Sequence, residues 1–366
     1  MNNFSFILFF ILIVLSSFAQ SKKVKNKIHE IETLDNAGDE PRDNYTMRIM
    51  FYNVENLFDT INDPNKNDED FLPEGNNRWN SYRYHKKLKN IYKVITSVGG
   101  WDAPEIIGFC EIENRFVLEE LLLKTPLRQN NYEIIHHESP DNRGIDVGLI
   151  YRPDKFSVLN HEPLNVSFEE NNNFKTRDIL YVKGIVFGLD TLHIFVNHWP
   201  SRRGGEAESE PNRILAASVA RKKIDNVLNE NPKANILLMG DFNDYPENKS
   251  LYEILKAKEV ASDKTINYGL INLMFEKHIK HEGTHKYQSH WGCLDQIIVS
   301  SLMLNEEHSL NVKNNVANIF KNDFLLKDDT RWMGTKPNRT YEGFKYSGGY
   351  SDHLPIYVDI VYKRKL

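Results

Sequence analysis

Short apolar runs recur along this chain, and many of them stop at one polar residue. Arg48–Val54 reads as a strand that ends at Asn53, with Glu55 just beyond it. Pro104 precedes Glu-Ile-Ile-Gly-Phe-Cys at 105–110, a second buried strand that delivers Glu111. Strands are also predicted over 132–136, 145–151, 179–187 and 192–197, each bounded by polar or turn residues. Ile236–Met239 is continuously apolar, the mark of a strand buried on both faces. Gly240 then allows a change of direction, and Asp241 and Asn243 stand at i, i+2, a spacing that aims both side chains the same way. The run 294–300 carries Asp295, and a last strand over 354–361 is entered from Ser351-Asp352-His353.

Helical periodicity appears in four places. Residues 82–98 predict a basic amphipathic helix with Leu88, Ile91, Tyr92 and Ile95 on one side. Residues 116–123 and 213–228 predict two more, and a short one lies around 250–255. The stretch 59–80 is rich in Asn and Asp and reads as a surface loop. Residues 301–347 read as irregular, and 339–350 are rich in aromatics and glycine. No internal repeat and no linker divides 46–363, so one mixed α/β domain is the expectation.

The N-terminus departs from this pattern. Residues 4–15 are almost wholly apolar, followed by Ser16, Ser17, Phe18 and Ala19, with Lys22 and Lys23 beyond. This run has the length of a signal-peptide core and is short for a membrane span. Its flank lacks Lys and Arg, a departure that keeps an uncleaved anchor as the alternative. The expectation is a signal peptide over 1–20, a flexible polar leader over 21–45, and export to the periplasm or the medium, with no stable membrane insertion once the signal is removed.

Composition changes the picture little. The chain is 40% hydrophobic and 27% charged with a net charge of -5, an ordinary globular balance. That charge argues against broad adhesion to nucleic acid, although a local basic patch is compatible with it. The two cysteines, Cys110 and Cys293, cannot build a disulfide framework. One bridge or two buried thiols are both open, and no obligate protein partner is evident.

The strand-end residues are the candidate chemistry: Asn53, Glu111, His198, Asp241, Asn243, Asp295, Asp352 and His353. Singly, each has a bland explanation, such as a turn at Asn53, a helix start at Glu111 or a core histidine at His198. Together, at strand ends, they occupy the place where α/β folds assemble sites. Carboxylates with an amide supply hard oxygen ligands for Mg²⁺, with Mn²⁺ as the other fit. There is no zinc-spaced Cys/His cluster and no Gly-rich phosphate loop. Two histidines with spare carboxylates suit acid/base work. The set suits metal-assisted hydrolysis of a phosphate ester.

Tyr52-Asn53-Val54-Glu55, Cys110-Glu111, Asn197-His198-Trp199, Gly240-Asp241-Phe242-Asn243, Leu294-Asp295-Gln296 and Ser351-Asp352-His353 occur in the order of the endonuclease/exonuclease/phosphatase superfamily, which the chain resembles over roughly 47–362. The resemblance implies a four-layer α/β sandwich of two packed mixed sheets flanked by helices, the deoxyribonuclease I-like fold. It also implies a metal site of Glu111, Asn53 and Asp352, with Glu55 as a further acid. A His353–Asp295 pair and His198 would contact the phosphate, with Asp241 handling water or a proton and Asn243 stabilising the phosphorane. Glu138 would partner His198, and Arg177 would bind phosphate. Arg202 and Arg203, close after His198, are further substrate-binding candidates. The leading expectation is an exported Mg²⁺-dependent nuclease. The alternatives are a phosphatase or phospholipase-type hydrolase of small phosphate esters, and an inactive binding scaffold.

Overall fold

A computed structural model describes residues 42–168, 174–260 and 269–363. The expected signal peptide, and the leader up to residue 41, lie outside the described residues. Apart from Gly100–Asp102, the described residues belong to one compact unit. None of the described helices is long and apolar enough to cross a membrane.

Two mixed sheets form the centre. The first is built from β1 (Thr46–Leu57), β2 (Ile106–Ile112), β3 (Glu133–His136) and β4 (Asp146–Tyr151), with two strands from the far end of the chain. The second takes β5 (Phe156–Leu164), β6 (Ile179–Val186), β7 (Asp190–His198), β8 (Asn235–Asp241), the short β9 (Ala257–Lys258) and β10 (Leu270–Asn272), and β11 (Asp295–Ser300). The chain then returns to the first sheet as β12 (Leu310–Ile319) and β13 (Ile356–Tyr362). The orders are β12-β13-β1-β2-β4-β3 and β5-β6-β7-β8-β11-β10-β9.

Period-2 patterning decides what each face meets. On β1, Met47, Ile49 and Phe51 join Ile194 and Val196 of β7 and Leu237 and Met239 of β8 in the core between the sheets. The alternate residues Met50 and Tyr52 point outward, under α1 (Ser81–Gly99) and α2 (Arg115–Lys124). On the other side, Ile236 and Leu238 face α3 (Glu206–Glu230) through Ala217, Ala220 and Ile224. The result is the four-layer sandwich. Leu88, Ile91, Val94, Ile95 and Val98 of α1 are each at most 1% exposed. At roughly 1.5–3 kcal/mol per buried side chain, that stripe rather than helix propensity docks the helix.

Three expectations are corrected. The helix predicted from Arg213 begins at Glu206 and runs through Pro211. Fully buried Arg213 secures the added turn, with its Nη1 donating to Ser209 Oγ at 2.7 Å and its Nη2 to Glu206 O at 3.0 Å. β5 escaped the pattern because it is an exposed sheet edge carrying Pro163, and edges have one apolar face at most. β12 is the other sheet's edge, broken by a register shift between Val312 and Ala317 with Asn314 and Asn315 at positive φ. The span read as irregular also holds two small hairpins, Leu326–Asp328 with Thr335–Pro337 and Tyr341–Glu342 with Lys345–Tyr346. Cys110 and Cys293 are both buried free thiols.

Candidate active site

Strand register assembles the site at one end of the sandwich. Asp241 on β8 is paired with His198 on parallel β7 and with Asp295 on antiparallel β11, so three adjacent strands present the three side chains together. The other sheet brings Asn53, paired with Cys110 beside Glu111. Gly240 makes the close approach of β7 and β8 possible. A Cβ there would lie 2.4 Å from Asn197 O.

Backbone irregularity aims the residues. β1 shifts register between Asn53 and Leu57, and β2 between Cys110 and Ile112. Glu55, Asn56, Glu111 and Asn243 have φ of 53°, 55°, 60° and 50°, the left-handed region that costs a non-glycine residue roughly 1–3 kcal/mol. Four such residues around one cluster show a backbone held in place by its surroundings.

Asn53 Nδ2 donates to Asp241 Oδ2 at 3.1 Å and to Glu111 Oε1 at 3.3 Å, and the Asn56 amide donates to Glu111 Oε2 at 3.0 Å. His198 Nε2 lies 3.9 Å from both Glu111 Oε1 and Asp241 Oδ2. His353 Nδ1 donates to Asp295 Oδ2 at 2.6 Å, while its Nε2 is 3.9 Å from Asp241 Oδ2. Asn243 N donates to Asp241 Oδ1 at 2.9 Å, and Asn243 Nδ2 to Trp199 O at 2.9 Å. Ser351 ties the last loop to this end, its hydroxyl donating to Asn53 O at 2.7 Å.

Electrostatics separates the roles. Burial, reinforced by Asp295 and Glu111 and opposed by His353, pushes the Asp241 carboxyl up to about 7. Burial, helped by Arg177, Arg143 and His353, drives His198 well below the usual histidine range, so it is neutral. Burial alone would do the same to His353, but Asp295 and Asp241 hold its imidazolium well above that range. Burial would raise Asp352, yet Arg339, His353 and His285 bring it down to about 2.

Two residues essential to this balance were not read from the sequence. Arg339, in the irregular span, bridges Asp352 Oδ2 at 2.8 Å and Glu55 Oε1 at 2.9 Å. Behind Glu55 stands fully buried Lys87, 3.9 Å from Glu55 Oε2 and lowered by burial to about 8. Their only signal was charge in an aromatic-rich loop and on the inner side of a basic helix.

Other candidates fall differently. Glu55 accepts from Arg339 and from Thr340 N at 2.7 Å, a position that ties the loop down. Glu138 is 3.8 Å from His136 Nδ1 and largely exposed, and His198 Nδ1 has no hydrogen-bond partner, so the expected Glu138–His198 pair is absent. Arg177 is buried at 6% exposure, donating to Asp141 Oδ2 at 3.2 Å and Trp199 O at 2.6 Å. Arg202 donates to Asn243 O at 2.8 Å and Asn248 Oδ1 at 2.9 Å, and pairs with Asp244 and Glu206. Arg203 alone of the three is exposed.

The donor set fits a hard divalent cation. Asp241 stands beside Asp295 and Glu111, and burial together with these two carboxylates holds it near 7. Ligand atoms of Asp241, Asp295 and His353, and separately of His285, Asp352 and His353, lie within 4.8 Å of one another. Glu111 and Asp352, both partly exposed, offer carboxylate oxygens there, while buried Asn53 turns its Nδ2 to the cluster and its Oδ1 accepts from Glu55 N at 3.0 Å. Asp352 is turned to Arg339 and makes no hydrogen bond to Asn53 or Glu111.

The sequence profile of the Endonuclease/Exonuclease/phosphatase family matches residues 48–362. No curated protein matches the chain. Among solved structures, a mannosyl-6-phosphatase from Bacteroides thetaiotaomicron VPI-5482 is similar at a TM-score of 0.53 and 16% identity, over 86% of this chain and 100% of that one. The catalytic domain of human Nocturnin with bound sulfate gives 0.51 and 16%, over 87% and 95%. A humanised D. rerio TDP2 gives 0.52 and 14%, over 86% and 98%. At such identities these likenesses show the shared fold.

Proposed function

The chain belongs to the endonuclease/exonuclease/phosphatase family of metal-dependent phosphoester hydrolases, and from that premise we propose that it is an exported hydrolase of small phosphate esters. The export half rests on the apolar run at 4–15. The substrate half rests on one observation: Arg177 and Arg202, the cations expected to grip a nucleic-acid backbone, are committed to the scaffold. A long polyanion is held by a row of solvent-facing cations that displace its counterions. With a net charge of -5 and only Arg203 of that trio free in solvent, the protein favours a substrate whose charge fits within the cluster.

The side chains divide the work of hydrolysis. A water oxygen forms the new P–O bond, the P–O bond to the alcohol breaks, and the alcohol leaves with a proton. Asp241, near 7, is suited to moving that proton at neutral pH. The His353 imidazolium, oriented by Asp295, and the Asn243 amide hydrogen that does not go to Trp199 O would supply fixed donors to negative charge on the phosphoryl oxygens. Neutral His198 donates or accepts at the same face. Glu111, Asn53 and Asp352 would hold the divalent cation, magnesium or manganese, which supplies positive charge to the phosphate when bound.

The test is kcat/KM for p-nitrophenyl phosphate, bis(p-nitrophenyl) phosphate, a sphingomyelin vesicle and duplex DNA, with Mg²⁺ and with EDTA, across a salt series. Small esters should lead, with activity lost in EDTA. Faster DNA cleavage that falls steeply with salt, and falls again in Arg202→Ala/Arg203→Ala, would restore the nuclease reading. No turnover of any ester would leave a binding scaffold.

A further inference from the structure

Four carboxylates gather beyond the ends of β1 and β2. Asp59, Asp63 and Asp68 come from the loop after β1, and Glu113 directly follows Ile112, the last residue of β2. Asp59, Asp63 and Glu113 line a cavity of about 350 Å³, with Asn62 and Asn114 among the other lining residues. Asp59 N donates to Glu113 Oε2 at 2.6 Å. Asp63 N donates to Asp68 Oδ2 at 2.9 Å, a bond that turns the Asp68 carboxylate toward this lining. The group is distinct from the catalytic cluster, where Glu111 takes its hydrogen bonds from Asn53 and Asn56.

Three of the four are buried: Asp68 is 1% exposed, Glu113 6% and Asp59 7%. Buried charges are ordinarily paired with an opposite charge or bound to a metal. Among the described residues none of these four carboxylates pairs with a Lys, Arg or His. Lys66, the one cation in 59–68, is turned away to Ser139 O at 2.9 Å and Asp141 O at 3.1 Å. Asp59, Asp68 and Asp63 are instead the charges that act on the Glu113 carboxyl. Asp68 is the clearest case, because its Oδ1 is buried and has no hydrogen-bond partner. Such an orphaned acceptor calls for a ligand that brings positive charge. Glu113 accepts through Oε2 and Asp63 through Oδ1, which leaves the second oxygen of each for the same ligand.

We propose that Asp59, Asp63, Asp68 and Glu113 form a calcium site, separate from the catalytic cluster, that fastens the loop after β1 to the strand ends. The donors are all carboxylate oxygens, with no His or Cys, which selects a hard cation over zinc or copper. They come from an irregular loop and a strand end. Calcium takes about six to eight oxygens at roughly 2.3–2.6 Å in flexible geometry, whereas magnesium demands a near-ideal octahedron. The same loop is already held at its far side, where Phe71 stacks on Phe58 at 4.3 Å and Trp79 Nε1 donates to Phe58 O at 2.9 Å. An ion at the four carboxylates would close its near side. The inference does not depend on which ester is hydrolysed.

The full chain, freed of metal, is titrated calorimetrically with Ca²⁺ in the Glu111→Gln background, which weakens any binding at the catalytic cluster, and again with Asp68→Asn added. The Glu111→Gln protein should bind one Ca²⁺ per chain with a Kd of about 10⁻⁷–10⁻⁴ M. Adding Asp68→Asn, which keeps the shape and removes the charge, should weaken that binding tenfold or more. Thermal melts give a second readout: millimolar Ca²⁺ should raise Tm by several degrees in Glu111→Gln and leave the Asp68→Asn double variant unmoved. Circular dichroism confirms that each variant is folded. If Asp68→Asn does not fold, Asp63→Asn, at a partly exposed position, carries the same comparison. No Ca²⁺ binding tighter than about 1 mM, or an affinity unchanged by these substitutions, overturns the inference.

Discussion

Replacing Asp295 with Asn tests the electrostatic core of the site with minimal change in shape. Asp295 Oδ2 receives the His353 Nδ1 proton at 2.6 Å, and both side chains are buried. At an effective dielectric of about 20, two unit charges at that distance attract by about 6 kcal/mol. Burial, the largest influence on His353, opposes the charge and offsets part of this. Asp295→Asn removes the attraction, and the amide it introduces can donate to Nδ1, which leaves the ring neutral with its proton on Nε2. A net loss of about 3–5 kcal/mol from the imidazolium corresponds to roughly 10²- to 10⁴-fold in kcat. Tm should fall as well, because a buried pair that stabilises the folded-state imidazolium also stabilises the fold, so rates are compared on protein whose fold is confirmed by circular dichroism. The assay is kcat and KM on p-nitrophenyl phosphate at saturating Mg²⁺ for Asp295→Asn, His353→Ala and the double variant. The double variant should be no more than about threefold slower than His353→Ala, since the two residues act as a unit. Losses that multiply, or an Asp295→Asn rate within about threefold of wild type, would refute the pairing.

Three further outcomes are expected. Glu111→Gln should lower activity by about 10²-fold or more and raise the half-saturating Mg²⁺ concentration, with Tm nearly unchanged; full activity at low Mg²⁺ would remove Glu111 from the metal site. Gly240→Ala forces a Cβ within 2.4 Å of Asn197 O, so calorimetry should show about 1–3 kcal/mol of destabilisation with loss of turnover as Asp241 shifts; an unperturbed Tm would contradict the close approach. His193, far from the site, is held down to about 4 by burial and accepts from the Tyr181 hydroxyl at 2.7 Å. Its folded value lies below the unfolded 6.5, so its stabilising contribution is present above 6.5 and is lost as pH falls towards 4, a span worth about 3 kcal/mol. His193→Gln should therefore lose less Tm than wild type between pH 7 and 4.5; parallel losses would show that His193 is not the acid-sensitive group.

Sequence alone determined the elements whose burial is periodic. β8 was legible because Ile236–Met239 is apolar on both faces, and α1 because its stripe faces one sheet. The order of strand-end residues pointed to Asn53, Glu111, His198, Asp241, Asp295 and His353, since strand ends at one sheet edge must meet if the sheets pack. Tertiary structure decided what local pattern does not encode. The edge strands β5 and β12 bury too little to leave a signal. The bulges that set Glu55, Asn56, Glu111 and Asn243 at positive φ are held by neighbours distant in sequence. An arginine's role depends on what lies within reach of its guanidinium. Arg177 and Arg202 looked like substrate cations and are bound by the protein's own carbonyls and carboxylates. Arg339, 284 residues from Glu55 in the chain, is the one that the fold delivers to the carboxylates of the site.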